Sequence, residues 1–95
     1  MNSINLNTTV VRSTDILASA VDDALVMMDI DSGHYFSLDP IGADIWERLT
    51  EPVRVADLCA QLGQTYDVAP EVCQDDVLNL LHDLAADRLL VIVQP

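Results

Sequence analysis

The chain has 95 residues, of which 51% are hydrophobic and 21% are charged, so it has the composition of one folded globular domain and not of a disordered segment. Sixteen acidic residues against four arginines and no lysine give a net charge of -12. Such a surface repels nucleic acid and anionic lipid, which argues against both as partners, and it attracts a basic partner. An acidic surface can also serve solubility alone, with no partner.

The ends of the chain and its cysteines limit the class further. No apolar run approaches the ~20 residues that span a bilayer, and residues 1–7 lack the basic and apolar regions of a secretory signal. We expect a cytoplasmic protein with a disordered segment over 1–7 and a single domain over 8–95. Cys59 and Cys73 lack zinc-motif spacing and are expected to be small buried residues, with no metal or cofactor.

The first half of the chain predicts β-structure. Residues 8–12, 24–30 and 34–38 are rich in β-prone residues and predict a three-stranded antiparallel sheet. Residues 31–33, Asp-Ser-Gly, predict the turn between the last two strands. Residues 16–21 fit either a strand or a loop that crosses the sheet. In the strand over 34–38, alternate residues are expected to face opposite sides of the sheet.

Three helices are predicted to follow without a long gap. Asp39 and Pro40 have the residue types that cap and open a helix, and the apolar residues after them recur at helical spacing. A second, short helix is expected to end near Gly63, and the third over 70–88 is the longest. A short β-tail over 89–93 completes an α+β fold that is similar to a winged helix-turn-helix.

The third helix has an unusually wide apolar sector. At 100° per residue the sector spans roughly 160°, whereas a surface helix needs only ~100°. Val77, Leu81 and Leu84 lie at its centre, and Leu78 and Leu80 lie towards its edges. If the core takes the centre, an edge is left for a groove, with Leu80 or Leu78 as the best candidates. The extra width can equally pack under the β-tail or in a dimer.

Enzymatic chemistry and DNA binding find little support. No nucleophile, phosphate-binding or metal motif is present, and His34 and His82 stand apart from any catalytic pattern, so we expect a non-enzyme. A small hydrolase is therefore the weakest hypothesis. A winged-helix transcription regulator is the second, but the third helix carries one arginine against five acidic residues, which suits DNA poorly.

Peptide binding by strand addition fits the pattern better. If the strand over 34–38 lies at the margin of the sheet, its unpaired backbone groups can accept an extended peptide. The wide sector of the third helix would form a floor beside that edge. Acidic residues on the rim would favour a basic peptide and speed its encounter with the protein.

A dispersed pattern over residues 24–93 resembles a known family, the PqqD-like proteins, which are the recognition elements for precursors of ribosomally made, modified peptides. The residues that carry the resemblance are Asp31, Gly33, Tyr35, Phe36, Leu38, Asp39, Gly42, Ile45, Trp46, Leu49, Val55, Leu58, Asp76, Val77, Leu80, Leu81, Leu84, Leu89 and Leu90.

The resemblance implies three antiparallel strands followed by three helices, and a non-catalytic adaptor that binds the leader of a precursor peptide. The leader would add to the strand over 34–38 and lie against the third helix. The peptide-binding residues implied are His34, Tyr35, Phe36, Ser37, Leu38, Asp76, Val77, Leu80, Leu81, Asp83 and Leu84.

The residues that are most similar to the stand-alone members of lasso-peptide pathways are Tyr35, Phe36, Ile45, Trp46, Glu47 and Leu49. Their partners are a leader peptidase and a macrolactam-forming cyclase. The alternative within the family is a chaperone for another modified peptide, such as pyrroloquinoline quinone, with a radical enzyme as partner. We expect a monomer or a weak homodimer.

Overall fold

The structure is a computed structural model that describes residues 4–93. It contains six strands and three helices within those residues. In chain order they are β1 (Thr9–Arg12), β2 (Ile16–Val21), β3 (Ala24–Asp29), β4 (Tyr35–Leu38), α1 (Pro40–Arg48), β5 (Val53–Arg54), α2 (Val55–Thr65), α3 (Pro70–Ala86) and β6 (Leu90–Val93).

The strands form two antiparallel sheets, in the orders β2-β3-β4 and β5-β1-β6. The α+β class is confirmed, but the predicted pairing of residues 8–12 with the hairpin is wrong. A two-residue turn with Asp22 at φ 54° joins β2 directly to β3. β2 therefore pairs with β3 on the side where residues 8–12 were predicted to pair. β1 instead pairs with the C-terminal β6, placing Val10 opposite Ile92. The likeness to a winged helix-turn-helix stays a prediction.

The N-terminal segment packs against the domain. Ile4 is 5% exposed within the core, and the carbonyl of Leu6 accepts a hydrogen bond of 2.9 Å from the N–H of Ala56. The predicted disorder over 1–7 is therefore wrong for residues 4–7, because alternate apolar residues bury one side of this segment. Residues 1–3 lie outside the described part of the chain.

A tight hairpin joins β3 to β4 and fixes their register. Gly33 has φ 72°, a conformation that glycine adopts without strain. Its N–H donates to the carbonyl of Asp29 at 2.8 Å, while the N–H of Asp29 donates to the carbonyl of His34 at 3.0 Å. The Asp29 carboxylate also accepts from the Asp31 N–H and the Ser32 hydroxyl, at 3.1 and 3.0 Å. These bonds hold the start of β4 in place.

α1 begins directly after β4, as predicted. The Asp39 carboxylate accepts a 2.7 Å hydrogen bond from the N–H of Gly42, and Pro40 occupies the first turn. Gly42 is needed for close approach, because a Cβ there would lie 3.2 Å from two Leu38 side-chain atoms. The strand and the helix therefore meet at a fixed, tight corner.

α3 packs its apolar face on the core and ends two residues earlier than predicted. Val77, Leu81 and Leu84 are at most 2% exposed. The helix ends because Arg88 adopts φ 62°, and the N–H of Leu89 turns back to the carbonyl of Leu84 at 2.8 Å. Within residues 4–93, no helix has both the length and the apolar character needed to cross a membrane.

Candidate functional site

β4 is an edge strand, because no described residue pairs with its outer side. Hydrogen-bonded and non-hydrogen-bonded pairs alternate along an antiparallel ladder. Counted from the closing bonds of the hairpin, Phe36 and Met27 form a hydrogen-bonded pair. Tyr35 and Ser37 therefore direct their backbone N–H and C=O groups away from β3. The edge offers two residues for pairing with an added strand.

The side chains of β4 alternate as the sequence predicts. Leu38 is 4% exposed and Phe36 is half-buried, so both face the core side of the sheet, while Ser37 and Tyr35 are exposed. His34 precedes the strand and is exposed. Backbone pairing and side-chain pockets are thus offered by alternate residues of one short strand.

A cavity of about 420 Å³ lies beside this edge, between β4, α1 and α3. We call it the edge groove. Its apolar walls are Phe36, Leu38, Ile41, Ile45 and Leu80. The edge groove therefore combines an unpaired strand edge with an apolar pocket, the two features that a strand-addition site uses.

The structure resolves which edge of the α3 apolar sector faces this cavity. Leu80 lines it, together with Asp76 one turn earlier, whereas Leu78 does not. Both leucines are half-buried. Of the residues named from the sequence, the structure brings together Phe36, Ser37, Leu38, Asp76 and Leu80.

The other predicted α3 residues do not reach the edge groove. Val77, Leu81 and Leu84 are buried in the core. They do not line the edge groove, although the sequence placed them on its wall. Asp83 is exposed and lies outside the cavity. The helical wheel did not distinguish core-facing from groove-facing residues, because most of the wide apolar sector packs in the core.

Four groove residues of α1 and its cap were missed: Asp39, Ile41, Gly42 and Ile45. Ile41 and Ile45 are one helical turn apart, and Ile41 is 52% exposed. The signal for them was present in the sequence, since a helix that follows an edge strand without a gap must begin beside that edge.

The rim of the edge groove is acidic. Asp39 and Asp76 line the cavity, and neither takes part in an ion pair with any of residues 4–93. Asp39 uses one oxygen to cap α1. Two uncompensated carboxylates beside an apolar pocket favour a ligand that carries both apolar and basic side chains.

A hydrogen-bonded cluster links α1 to the C-terminal end of α2. The hydroxyl of Tyr66 donates to Asp44 at 2.7 Å, and Nε of Arg48 donates to the same carboxylate at 3.0 Å. The Tyr66 bond, followed by the Arg48 contacts, lowers the pKa of Asp44 even though burial opposes this. The same bond raises the pKa of Tyr66.

The cysteines are free and buried, as expected from the sequence. Burial raises the pKa of the Cys59 thiol, and the neighbouring Cys73 raises it further. Among residues 4–93, no group of three or more His, Cys, Asp or Glu side chains is placed to hold a metal ion.

Comparison with known proteins gives one family and two similar folds. The family model of coenzyme PQQ synthesis protein D, PqqD, matches residues 24–90. A solved structure of TbiB1 in complex with the TbiA(beta) leader peptide is 27% identical at a TM-score of 0.78, covering 90% of this chain and 99% of that chain.

A second solved structure, lasso peptide synthetase B1 complexed with the leader peptide, is 23% identical at a TM-score of 0.70. The match covers 86% of this chain and 96% of that chain. None of the curated proteins matches the chain at a significant level.

Proposed function

The chain belongs to the PqqD family, and we propose that it binds the leader segment of a ribosomally made precursor peptide by strand addition to β4. The observation that carries the proposal is the pair of outward-facing backbones at Tyr35 and Ser37, beside the apolar edge groove. A leader strand would gain backbone hydrogen bonds at this edge and bury alternate side chains against Phe36 and Leu80.

The likeness to two leader-peptide complexes supports a lasso-peptide pathway as the setting. In this proposal the protein is a non-catalytic cytoplasmic adaptor. It presents the bound precursor to a leader peptidase and a macrolactam cyclase. The acidic rim at Asp39 and Asp76 supports a leader with basic residues.

The proposal is tested by titrating the protein with the leader of the precursor peptide that is encoded beside it, using calorimetry. Ser37→Pro removes an edge N–H that has no partner within the sheet, so it should weaken leader binding at least about tenfold while the domain stays folded.

Ala20→Pro is the matched control. Ala20 directs its N–H towards the other free edge, that of β2, so the same backbone change there should leave leader affinity unaltered. Circular dichroism checks that both variants are folded. A folded Ser37→Pro variant with full leader affinity would rule out strand addition at β4.

A further inference from the structure

Cys59 and Cys73 form a pair of thiols to which leader binding assigns no role. Cys59 lies on α2 and Cys73 lies on α3, and these two helices pack against each other. Both are free thiols, and they are within hydrogen-bonding reach of each other. Neither cysteine lines the edge groove. The pair therefore joins the two helices at a point outside the site described above.

The pair lies at the margin of the core and not at its centre. Each cysteine is 8% exposed, whereas the neighbouring core residues Leu58, Leu62 and Val77 are at most 2% exposed. The thiols are thus the least buried of the core residues on both helices. A slight opening of the helix pair is enough for a small reagent to reach them, without unfolding of the domain.

The chain that connects the two cysteines is short. Residues 66–69 join α2 to α3, and Cys73 lies in the first turn of α3. A disulfide would close only the loop from residue 59 to residue 73, whose ends are already held together by helix packing. Two thiols in this position need only a small movement of one helix to reach bonding distance.

Cys73 is connected to the edge groove through α3 itself. Asp76 and Leu80, which line the groove, follow Cys73 by one and two helical turns, so the three residues share one side of the helix. α2 contributes no described residue to the groove. Pulling the first turn of α3 towards α2 therefore changes the spacing between Leu80 and β4.

We propose that Cys59 and Cys73 form a reversible disulfide that fixes the first turn of α3 against α2 and thereby changes the shape of the edge groove. The oxidant is a low-molecular-weight disulfide, such as oxidised glutathione. One cysteine thiolate attacks it, which forms a mixed disulfide and releases one small thiol. The second cysteine thiolate then displaces the other small thiol and closes the bond between the cysteines. The small disulfide gains the two electrons that the cysteines lose, and the released thiols take up the two protons.

The surroundings of the pair suit a slow response to sustained oxidation. Burial raises the pKa of the Cys59 thiol, and the neighbouring Cys73 raises it further, so the thiol of Cys59 stays protonated near neutral pH. Because the thiolate is the reacting form, brief exposure to a small disulfide leaves the pair reduced. In reducing compartments, disulfides of proteins are usually transient and redox-sensing, which fits this behaviour.

The consequence for leader binding rests on the function proposed above. Closing the bond shifts the groove wall at Leu80 relative to β4, and the leader uses both surfaces at once. The disulfide form should therefore bind the leader several-fold more weakly than the thiol form. A reductant should restore the affinity.

The test incubates the folded protein with an excess of oxidised glutathione and counts free thiols by alkylation and mass spectrometry. We expect both thiols to be lost together, with a decrease in mass of about 2 Da and no bound glutathione. Closing the loop should raise Tm by about 5 °C or more. Nitrogen-15 amide shifts should change at residues 76–80, and a reductant should reverse all of these changes.

Cys59→Ala and Cys73→Ala are matched controls, because each variant keeps one of the two thiols. After the same treatment neither variant should show the rise in Tm or the shifts at residues 76–80. The double variant should bind the leader equally well with and without oxidant. Circular dichroism checks that the variants are folded.

Three results would overturn the proposal. They are the persistence of two free thiols, a disulfide that links two molecules, and an intramolecular disulfide that leaves both the amide shifts of residues 76–80 and the leader affinity unchanged. Failure of the thiol form to bind the leader would instead contradict the proposed function. That failure would leave the disulfide and its effect on the groove in place.

Discussion

Leu78 and Leu80 are two residues apart on α3 and similarly half-buried, yet only Leu80 faces the edge groove. This makes them a matched pair. Leu80→Ala should weaken leader binding about tenfold, because it removes apolar surface that the leader would cover. Leu78→Ala should leave the affinity for the leader unchanged. Both variants should lower the free energy of unfolding by similar amounts. Calorimetric titration and thermal melts of both variants measure this, and equal losses of affinity would contradict the assignment of the groove wall.

Asp44, on α1, makes the stability of the protein depend on pH. Its pKa is lowered in the folded state, chiefly by the Tyr66 hydrogen bond. Its contribution to stability is therefore complete above about pH 4 and is lost as the pH falls through the lower, folded pKa. The difference in Tm between the natural protein and Asp44→Asn should be largest near neutral pH and shrink in acid. A difference that does not change with pH would contradict this role.

Residue-scale prediction from the sequence succeeded where spacing alone decides. The alternation of Phe36 and Leu38 against Tyr35 and Ser37 follows from the period of a strand. The choice of Leu80 over Leu78 did not follow, because an apolar sector of roughly 160° does not indicate which edge faces a neighbouring strand.

At the scale of elements, β4 has two kinds of backbone position with different consequences. The N–H of Phe36 belongs to the ladder with β3, whereas that of Ser37 points outward. Phe36→Pro should therefore destabilise the hairpin itself and lower Tm by several degrees. Ser37→Pro should affect leader binding with little change in Tm. Melts that show equal destabilisation of both variants would contradict the alternation along β4.

Local elements were predictable, and long-range pairings were not. The turn at Gly33 and the cap at Asp39 have sequence signals within a few residues of the structures they form. The pairing of Val10 with Ile92 joins the two ends of the domain, and no local pattern distinguishes it from pairing with the hairpin. The burial of Ile4 was missed for the same reason.

At the scale of the whole molecule, the charge of -12 sets the salt dependence of binding. The Debye length falls from about 10 Å at 0.1 M salt to about 3 Å at 1 M. If the leader is basic, its dissociation constant should rise several-fold over this range, mainly through slower association. Stopped-flow kinetics at both salt concentrations measure this. An association rate that is independent of salt would contradict a role for the acidic rim.

Hydrogen exchange of single amides tests strand addition to β4 most directly. In the free protein the N–H groups of Tyr35 and Ser37 have no ladder partner, whereas that of Phe36 is paired with β3. Adding the leader peptide should slow exchange at Tyr35 and Ser37 by about tenfold or more, with a smaller change at Phe36. Binding of the leader without protection of Tyr35 and Ser37, or with protection at residues 16–21 instead, would contradict leader recognition at this edge.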